Sequence, residues 1–484
     1  MNPIAHLYFR ANFQPDDVAI QNPGSEITWR KLVPIVQGIA CKLRQIGARP
    51  NQVAVTYLPN RYLDWVVTLA LMHEAVATCS TFGPLPLELE PDFVLTPKAL
   101  PDLPQDKTVL VDNEWLKDMP PVPENFGPQT FASQESLFRL ILTSGTTGHS
   151  KAAAFSLDAF LKRCQRPSAP SSAFAHEVCM MGLSSVLGFT VALRNLLRGT
   201  PCYFANYNKE VIYLINAYHV ECLSGSPHQL GALIEEVQRT SKRPSSLKMI
   251  WYSGGDASPT LLDNVRRDLC PNVVCLYGST EVGGVSSYLV HDQNRQPGMV
   301  GYVVPEAEVQ IVNEQHHPLD AGEEGSLRVR SSSMAVGYYK NPEETNRSYR
   351  DGWFYPGDRA RLLRNGMLKL TGREQELINR GGVKVSPAEI DHLVQSYEGI
   401  LDAATFSFED HQGLEDICAA VVVTEDFKME LFQRHLAQAL AVHQNPTLIL
   451  KLKEIPRNQM GKPLRQQMRE QYGDMLRQQL RTKQ

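Results

Sequence analysis

At 484 residues the chain is too long for one ordinary core, and its length suits about three domain-sized units. Hydrophobic residues make up 43% and charged residues 21%, the balance of a folded globular protein, which excludes a disordered or fibrous chain. A net charge of -4, with no basic excess and no zinc-type cysteine pairs, argues against nucleic acid as a partner.

The nine cysteines (Cys41, Cys79, Cys164, Cys179, Cys202, Cys222, Cys270, Cys275 and Cys418) are odd in number and scattered, a pattern of buried reduced thiols that points to the cytoplasm. The opening MNPIAHLYFRANFQPDD meets polar and charged residues before a signal-peptide core forms, and no apolar run is long enough to span a bilayer. No membrane anchor is expected.

In chain order, ITW reads as a strand, Arg30 to Ile46 as an amphipathic helix, QVAVTYLPN as a buried strand ending in a loop, and Leu63 to Glu74 as a second helix. Such alternation predicts a parallel α/β sheet. Residues 81 to 130 are Pro-rich and read as surface connection, with TVLVDN their one regular stretch. The α/β pattern returns from about 135 to 290. Short β-type runs separated by Gly, Asn and Asp then predict a β-rich lobe from Val300 to about Leu370. The last hundred residues mix helical patterns (Ser386 to Ser396, Met429 to Val442) with the strand-like AATFSF and ICAAVVVT, a small α+β domain.

The sharpest local signal is FRLILTSGTTGHSKAAAFS, an apolar strand ending at Leu142, then a small-residue loop, then Lys151. Backbone N–H groups at Gly145 and Gly148 can approach an anion closely, the hydroxyls of Thr143, Ser144, Thr146 and Thr147 can donate to phosphate oxygens, and Lys151 supplies charge. A triphosphate suits this set. The Walker pattern is excluded, because the lysine stands past the last glycine with no hydroxyl after it. Downstream follow WYSGGDASP, LYGSTE, GYYKNPEET, DGWFYPGD, LTGREQELINRGGVKVSPAEID and IPRNQMGKPLR. In LYGSTE a glycine turn presents Thr280 and Glu281 at a strand end, where a hydroxyl can touch an α-phosphate and a carboxylate can hold Mg2+. Asp358 can accept both ribose hydroxyls, and Arg373 offers a planar fork to ribose or phosphate. Lys462, in a Gly-Lys turn near the C-terminus, is an ammonium that can touch a carboxylate and an α-phosphate together and stabilise the charge that develops between them.

TSGTTGxxK and the motifs after it, in order over nearly the whole chain, resemble those of the adenylate-forming superfamily of acyl-CoA synthetases, adenylation enzymes and luciferases, most closely a stand-alone acyl- or aryl-CoA ligase. The resemblance implies an α/β fold: a large N-terminal region, residues 1–373, of layered α/β sheets plus a distorted β lobe, a hinge at 374–375 with Gln375, and a small mobile α+β C-terminal domain, 376–484. It implies ATP and Mg2+ as cofactors and CoA as co-substrate: a carboxylic acid becomes acyl-AMP, and after domain rotation a thiol takes the acyl group. Lys462, Thr280 and Glu281 take the catalytic roles, with Glu281 the metal ligand. The 143–148 loop, Lys151, Gly254, Gly255, Asp256, Tyr277, Gly278, Asp358 and Arg373 hold the nucleotide, with Tyr277 stacked near the base. Gly381 and Gly382 border the thiol tunnel, where glycine lets pantetheine pass close to the backbone.

Three positions depart from the family pattern: Ser150 replaces the usual proline, Gln375 the usual charged hinge residue, and Ser185 in GLSSVLGF a histidine that borders the acyl pocket. Ser185, His228, Ser253 and Gly254 are the expected substrate contacts. The aspartate that pairs an α-amino group in amino-acid-activating relatives falls near Val186, so an aryl or medium-chain acid without that group is favoured. A separate carrier protein's phosphopantetheine or an amine stands as the alternative acceptor. A non-catalytic nucleotide-binding descendant would be expected to lose the glutamate, the aspartate or the late lysine, and all three are present.

Overall fold

The computed structural model describes residues 2–86, 88–100, 103–144, 150–166, 173–290, 298–380, 383–410, 412–457 and 461–483. Among these, two large sheets dominate the N-terminal region. The seven-stranded one runs, in spatial order, Gly337–Tyr338, Ser150–Ser156, Leu137–Ser144, Ala77–Ser80, Val53–Thr56, Phe93–Thr96 and Thr108–Leu110. Its centre is parallel and buried on both faces, so VAVT and ATCS show no polar alternation. The helices Trp29–Gln45 and Arg61–His73 pack together in the core beside it. Both fall where the sequence placed them, and Asn60 caps the second by accepting from the Leu63 N–H at 3.0 Å.

The Pro-rich stretch corrects the expectation of plain connection. Phe93–Thr96 is a parallel strand whose Val94, Leu95 and Thr96 are fully buried, one partner over from Thr108–Leu110. The glycine-rich motif also differs from a strand-to-helix phosphate loop. Leu137–Ser144 extends past Leu142 and returns as the antiparallel strand Ser150–Ser156, which sets Thr143 opposite Lys151.

The twelve-stranded sheet begins with parallel strands Glu177–Cys179, Cys222–Gly225, Met249–Tyr252 and Val273–Ser279. It continues antiparallel through Gly283–Leu289, Met299–Val303, Met367–Arg373, Asp358–Leu362 and Glu324–Arg330. The expected β lobe has its own apolar cluster, Val285, Ile311, Leu327, Val329, Phe354 and Leu368 among it, yet its strands are hydrogen-bonded onto the parallel ones as one sheet. Ser226, Ser253 and Thr280 therefore all leave the carboxyl ends of parallel strands, where open α/β sheets bind ligands.

The C-terminal domain is a separate sandwich. Strands Ile400–Glu409, Glu415–Val423 and Leu448–Lys451 form a sheet whose alternate residues face opposite ways. Ile417, Ala419 and Val421 pack on helices Pro387–Gln395 and Met429–Ala439. Phe406, Phe408 and Ala420 pack instead with Met468 and Leu476 of the terminal helix Arg465–Lys483, an element the sequence reading did not foresee. All nine cysteines are free; eight are buried and Cys179 is half-buried. Among the described residues no helix is long and apolar enough to cross a membrane.

Candidate active site

A cavity of about 1590 Å³ collects side chains from both large sheets and from the C-terminal domain. It is larger than one drug-sized ligand requires. Thr143, Lys151, Ser185, His228, Ser253 to Asp256, Tyr277, Gly278, Thr280, Glu281, Asp358, Arg373, Gln375 and Lys462 all line it. Gly145 to Gly148, Gly381 and Gly382 lie outside the described residues, and Ser144 is described only as the last residue of its strand.

Asp358 and Arg373 are register partners on adjacent antiparallel strands, which points their side chains to the same side. Arg373 Nε stands 3.1 Å from Asp358 Oδ1, and the Tyr277 hydroxyl donates to Oδ2 at 2.5 Å. Burial first, and the Asp358 carboxylate second, push the Tyr277 phenol well above its ordinary range, so it keeps the proton it donates. Tyr277, expected beside the base, therefore also orients the Asp358 carboxylate. The same carboxylate is the main reason the Arg373 guanidinium holds its proton more tightly than usual.

Lys462 enters this group from the C-terminal domain. Burial, then the Arg373 charge, pull its ammonium below the ordinary lysine range, while Asp358, Glu376 and Glu281 act the other way. The turn that delivers it has Gly461 in the left-handed region at φ +81, and a Cβ there would stand 3.4 Å from that of His228. His228 sits in the first turn of the helix Pro227–Thr240, fixed by a capping box between Ser226 and Gln229. A second link between domains joins His392 Nδ1 to Asp256 Oδ2 at 3.2 Å.

Glu281 is 8% exposed and accepts from the Tyr338 hydroxyl at 2.8 Å. Burial and then this carboxylate raise the Tyr338 phenol far above its usual range. Lys151, expected on phosphate, is ion-paired with Glu344, and its ammonium lies 5.5 Å from the Tyr338 ring centroid. Burial alone would raise the Glu344 carboxyl; Lys151 and Arg347 outweigh it and lower it. Ser185 is the N-cap of the helix Val186–Arg198: its hydroxyl oxygen accepts from Gly188 N–H at 3.0 Å and its O–H donates to the Gly182 carbonyl at 2.9 Å. Its hydroxyl is thus engaged with backbone at the cavity wall. Gly278 must be glycine, because a Cβ there would stand 2.0 Å from the Gly283 carbonyl oxygen.

Sequence reasoning missed Tyr338, Glu344, Arg163 and Arg166. The first two stand inside GYYKNPEET, a motif recognised but given no roles. The arginines carried a weaker signal, two cations three residues apart in LKRCQR at the end of an amphipathic helix.

The parallel strand ends, the carboxylate–arginine pair and the lysine from the smaller domain define a nucleotide-dependent enzyme of the adenylate-forming fold. The chain belongs to the family described as AMP-binding enzyme, whose model matches residues 7–339. It is 25% identical over 487 residues to a 2-succinylbenzoate–CoA ligase of Oceanobacillus iheyensis, covering 94% of this chain and 97% of that one. ATP-bound MatB from Rhodopseudomonas palustris superposes with a TM-score of 0.84 at 20% identity, covering 98% of this chain and 99% of that. The O-succinylbenzoate coenzyme A synthetase MenE of Bacillus subtilis, in complex with ATP and magnesium, gives 0.81 at 21% identity over 96% of this chain and 98% of that one.

Proposed function

We propose that the enzyme joins a carboxylic acid to ATP as acyl-AMP, releasing pyrophosphate, and then passes the acyl group to the thiol of CoA. One observation carries this reading: Lys462 lines the same cavity as Arg373, Asp358 and Glu281, at the ends of the parallel strands, and feels the charge of all three. In the first half-reaction a carboxylate oxygen attacks the α-phosphorus and the bond to pyrophosphate breaks. Two anions meet there, and an ammonium held among these charges stabilises the new charge as it develops. Asp358, aimed by Tyr277 and Arg373, takes the ribose hydroxyls, and Thr280 faces the α-phosphate.

Magnesium fits the donor set. Among the described residues no cluster of three or more His, Cys, Asp or Glu side chains could hold a metal. An ion that arrives on ATP needs one hard oxygen from the protein, and Glu281 would supply it, the ion then neutralising phosphate charge. In the second half-reaction the thiol attacks the acyl carbonyl and AMP leaves. Rotation of the domain after Gln375 would withdraw Lys462 and bring Gly381 and Gly382 to the thiol path. The curated relative's name carries CoA as acceptor, and an aryl acid is the favoured class by the same likeness.

The test is acid-dependent pyrophosphate release across aryl, fatty and amino acids, with and without CoA. The reading expects release with an aryl or medium-chain acid and thioester only when CoA is present. Release that is insensitive to CoA, with no thioester formed, would move the acceptor to a carrier protein or an amine.

A further inference from the structure

Arg163 ends the helix Leu157–Cys164 one residue before its last, and Arg166 follows two residues after it. They are 5% and 8% exposed, and both line the active-site cavity. Their partners are neutral. Arg163 donates to the carbonyls of Ser333 (2.9 Å), Thr280 (3.0 Å) and Glu281 (3.4 Å). Arg166 donates to the carbonyls of Gly284 (2.9 Å) and Val282 (3.2 Å) and to the hydroxyls of Ser331 and Ser333, both at 2.5 Å. Its Nε–H is buried and meets no acceptor among the described residues.

Among the described residues neither guanidinium has a carboxylate within ion-pair distance; Glu306 acts on Arg166, and Glu281 on Arg163, only through space. Each cation also disfavours the other's charge, since Arg166 stands second only to burial in pulling the Arg163 proton affinity down, to about 9. Two adjacent buried cations answered by dipoles and by the Phe155 ring, whose centroid lies 4.7 Å from Arg163 Cζ, but by no paired carboxylate, are expensive in the free protein. A carboxylate entering beside them recovers that loss, and the guanidinium fork matches its geometry.

Their position suits a ligand rather than a remote brace. Gly283, at φ +84, follows Glu281 by two residues, and a Cβ there would stand 3.0 Å from Arg166 Nη1 and 3.4 Å from Arg163 Cζ. Gly283 and Gly284 thus leave the guanidiniums against the loop that carries the reaction. Leu187, Trp251 and Leu276 supply apolar wall to the same cavity.

We infer that the acid activated here carries a second carboxylate, which docks on Arg166 and Arg163 while the first meets Lys462; the inference rests on the ligase reading above. One carboxylate is activated, and the other remains free in the product.

The test compares kcat/KM for pyrophosphate release within matched pairs that differ by one carboxylate: pentanoate against glutarate, and phenylacetate against 2-carboxyphenylacetate. At least one diacid should exceed its monoacid about tenfold, and Arg166→Met should cut that ratio by about 10- to 100-fold, as expected for losing hydrogen bonds to a charged group. Arg166→Lys should restore part of it. Equal or inverted ratios in the wild type, or an Arg166→Met variant that slows every acid by the same factor, would make the arginines braces of the 280–284 segment and overturn the inference while leaving the ligase intact. Release with no acid at all would overturn the ligase reading itself. If Arg166→Met does not fold, the wild type decides: a diacid with a non-hydrolysable ATP analogue should raise the melting midpoint more than its monoacid, and an equal rise contradicts the proposal.

Discussion

The Tyr277 hydroxyl donates to Asp358 Oδ2 at 2.5 Å while Arg373 holds the other carboxylate oxygen at 3.1 Å. A carboxylate gripped from both sides cannot swing, so its remaining lone pairs face the cavity in one orientation. Tyr277→Phe keeps the ring and removes the grip. It should raise KM for ATP about 3- to 10-fold, the loss of one hydrogen bond, whereas Asp358→Ala should raise it more. ATP–pyrophosphate exchange at varied ATP measures both, and an unchanged KM in Tyr277→Phe would leave the tyrosine a packing residue.

Ser185 divides two roles. Its hydroxyl caps the helix Val186–Arg198, so Ser185→Ala should cost about 1 kcal/mol of stability and Ser185→Asn should recover most of it. Ser185→His places a ring at the cavity wall and should penalise large acids more than small ones. Thermal melts and kcat/KM over acids of rising size separate the effects. If Ser185→Ala reordered the acids without loss of stability, the hydroxyl would belong to the substrate rather than to the cap.

Lys462 should set the alkaline limb of adenylation. Burial and Arg373 lower its pKa below the ordinary 10.5, and the protonated form is the one that holds two anions. kcat/KM for exchange should therefore fall with rising pH sooner than an ordinary lysine allows. The linked stability has the opposite sign: the unfolded chain binds the proton more tightly, so this group's contribution to stability rises between the folded pKa and 10.5 and is lost as pH falls through the folded pKa. Lys462→Arg, which stays charged, should abolish the limb. The same limb in that variant would assign it to another group.

Much of this site could be read in the sequence because its motifs are local strings. Ser253 to Asp256, Tyr277 to Glu281, Asp358, Arg373 and Lys462 each sit in a turn or strand end whose neighbours mark it, and all line one cavity. What stayed hidden depends on contacts across the fold. The pairing of Lys151 with Glu344 spans 193 residues, and the Tyr338 bond to Glu281 spans 57. The strand Phe93–Thr96 was masked by surrounding prolines and is recognisable only from its buried partner Val53–Thr56. The helix Arg465–Lys483 shows its inward face only as Met468, Tyr472, Leu476 and Leu480, four residues apart in a Gln- and Arg-rich run.

In the proposed mechanism Lys462 serves the first half-reaction and is withdrawn for the second. The direct measurement is Lys462→Ala assayed for each half separately: acyl-AMP formation by pyrophosphate exchange, and thioester formation from synthetic acyl-AMP and CoA. Exchange should fall by about 100-fold or more, the scale of losing a charge stabiliser at the reacting centre, while thioester formation stays within about threefold of wild type. Equal losses in both halves would contradict that mechanism and make Lys462 a structural residue of a fixed domain interface.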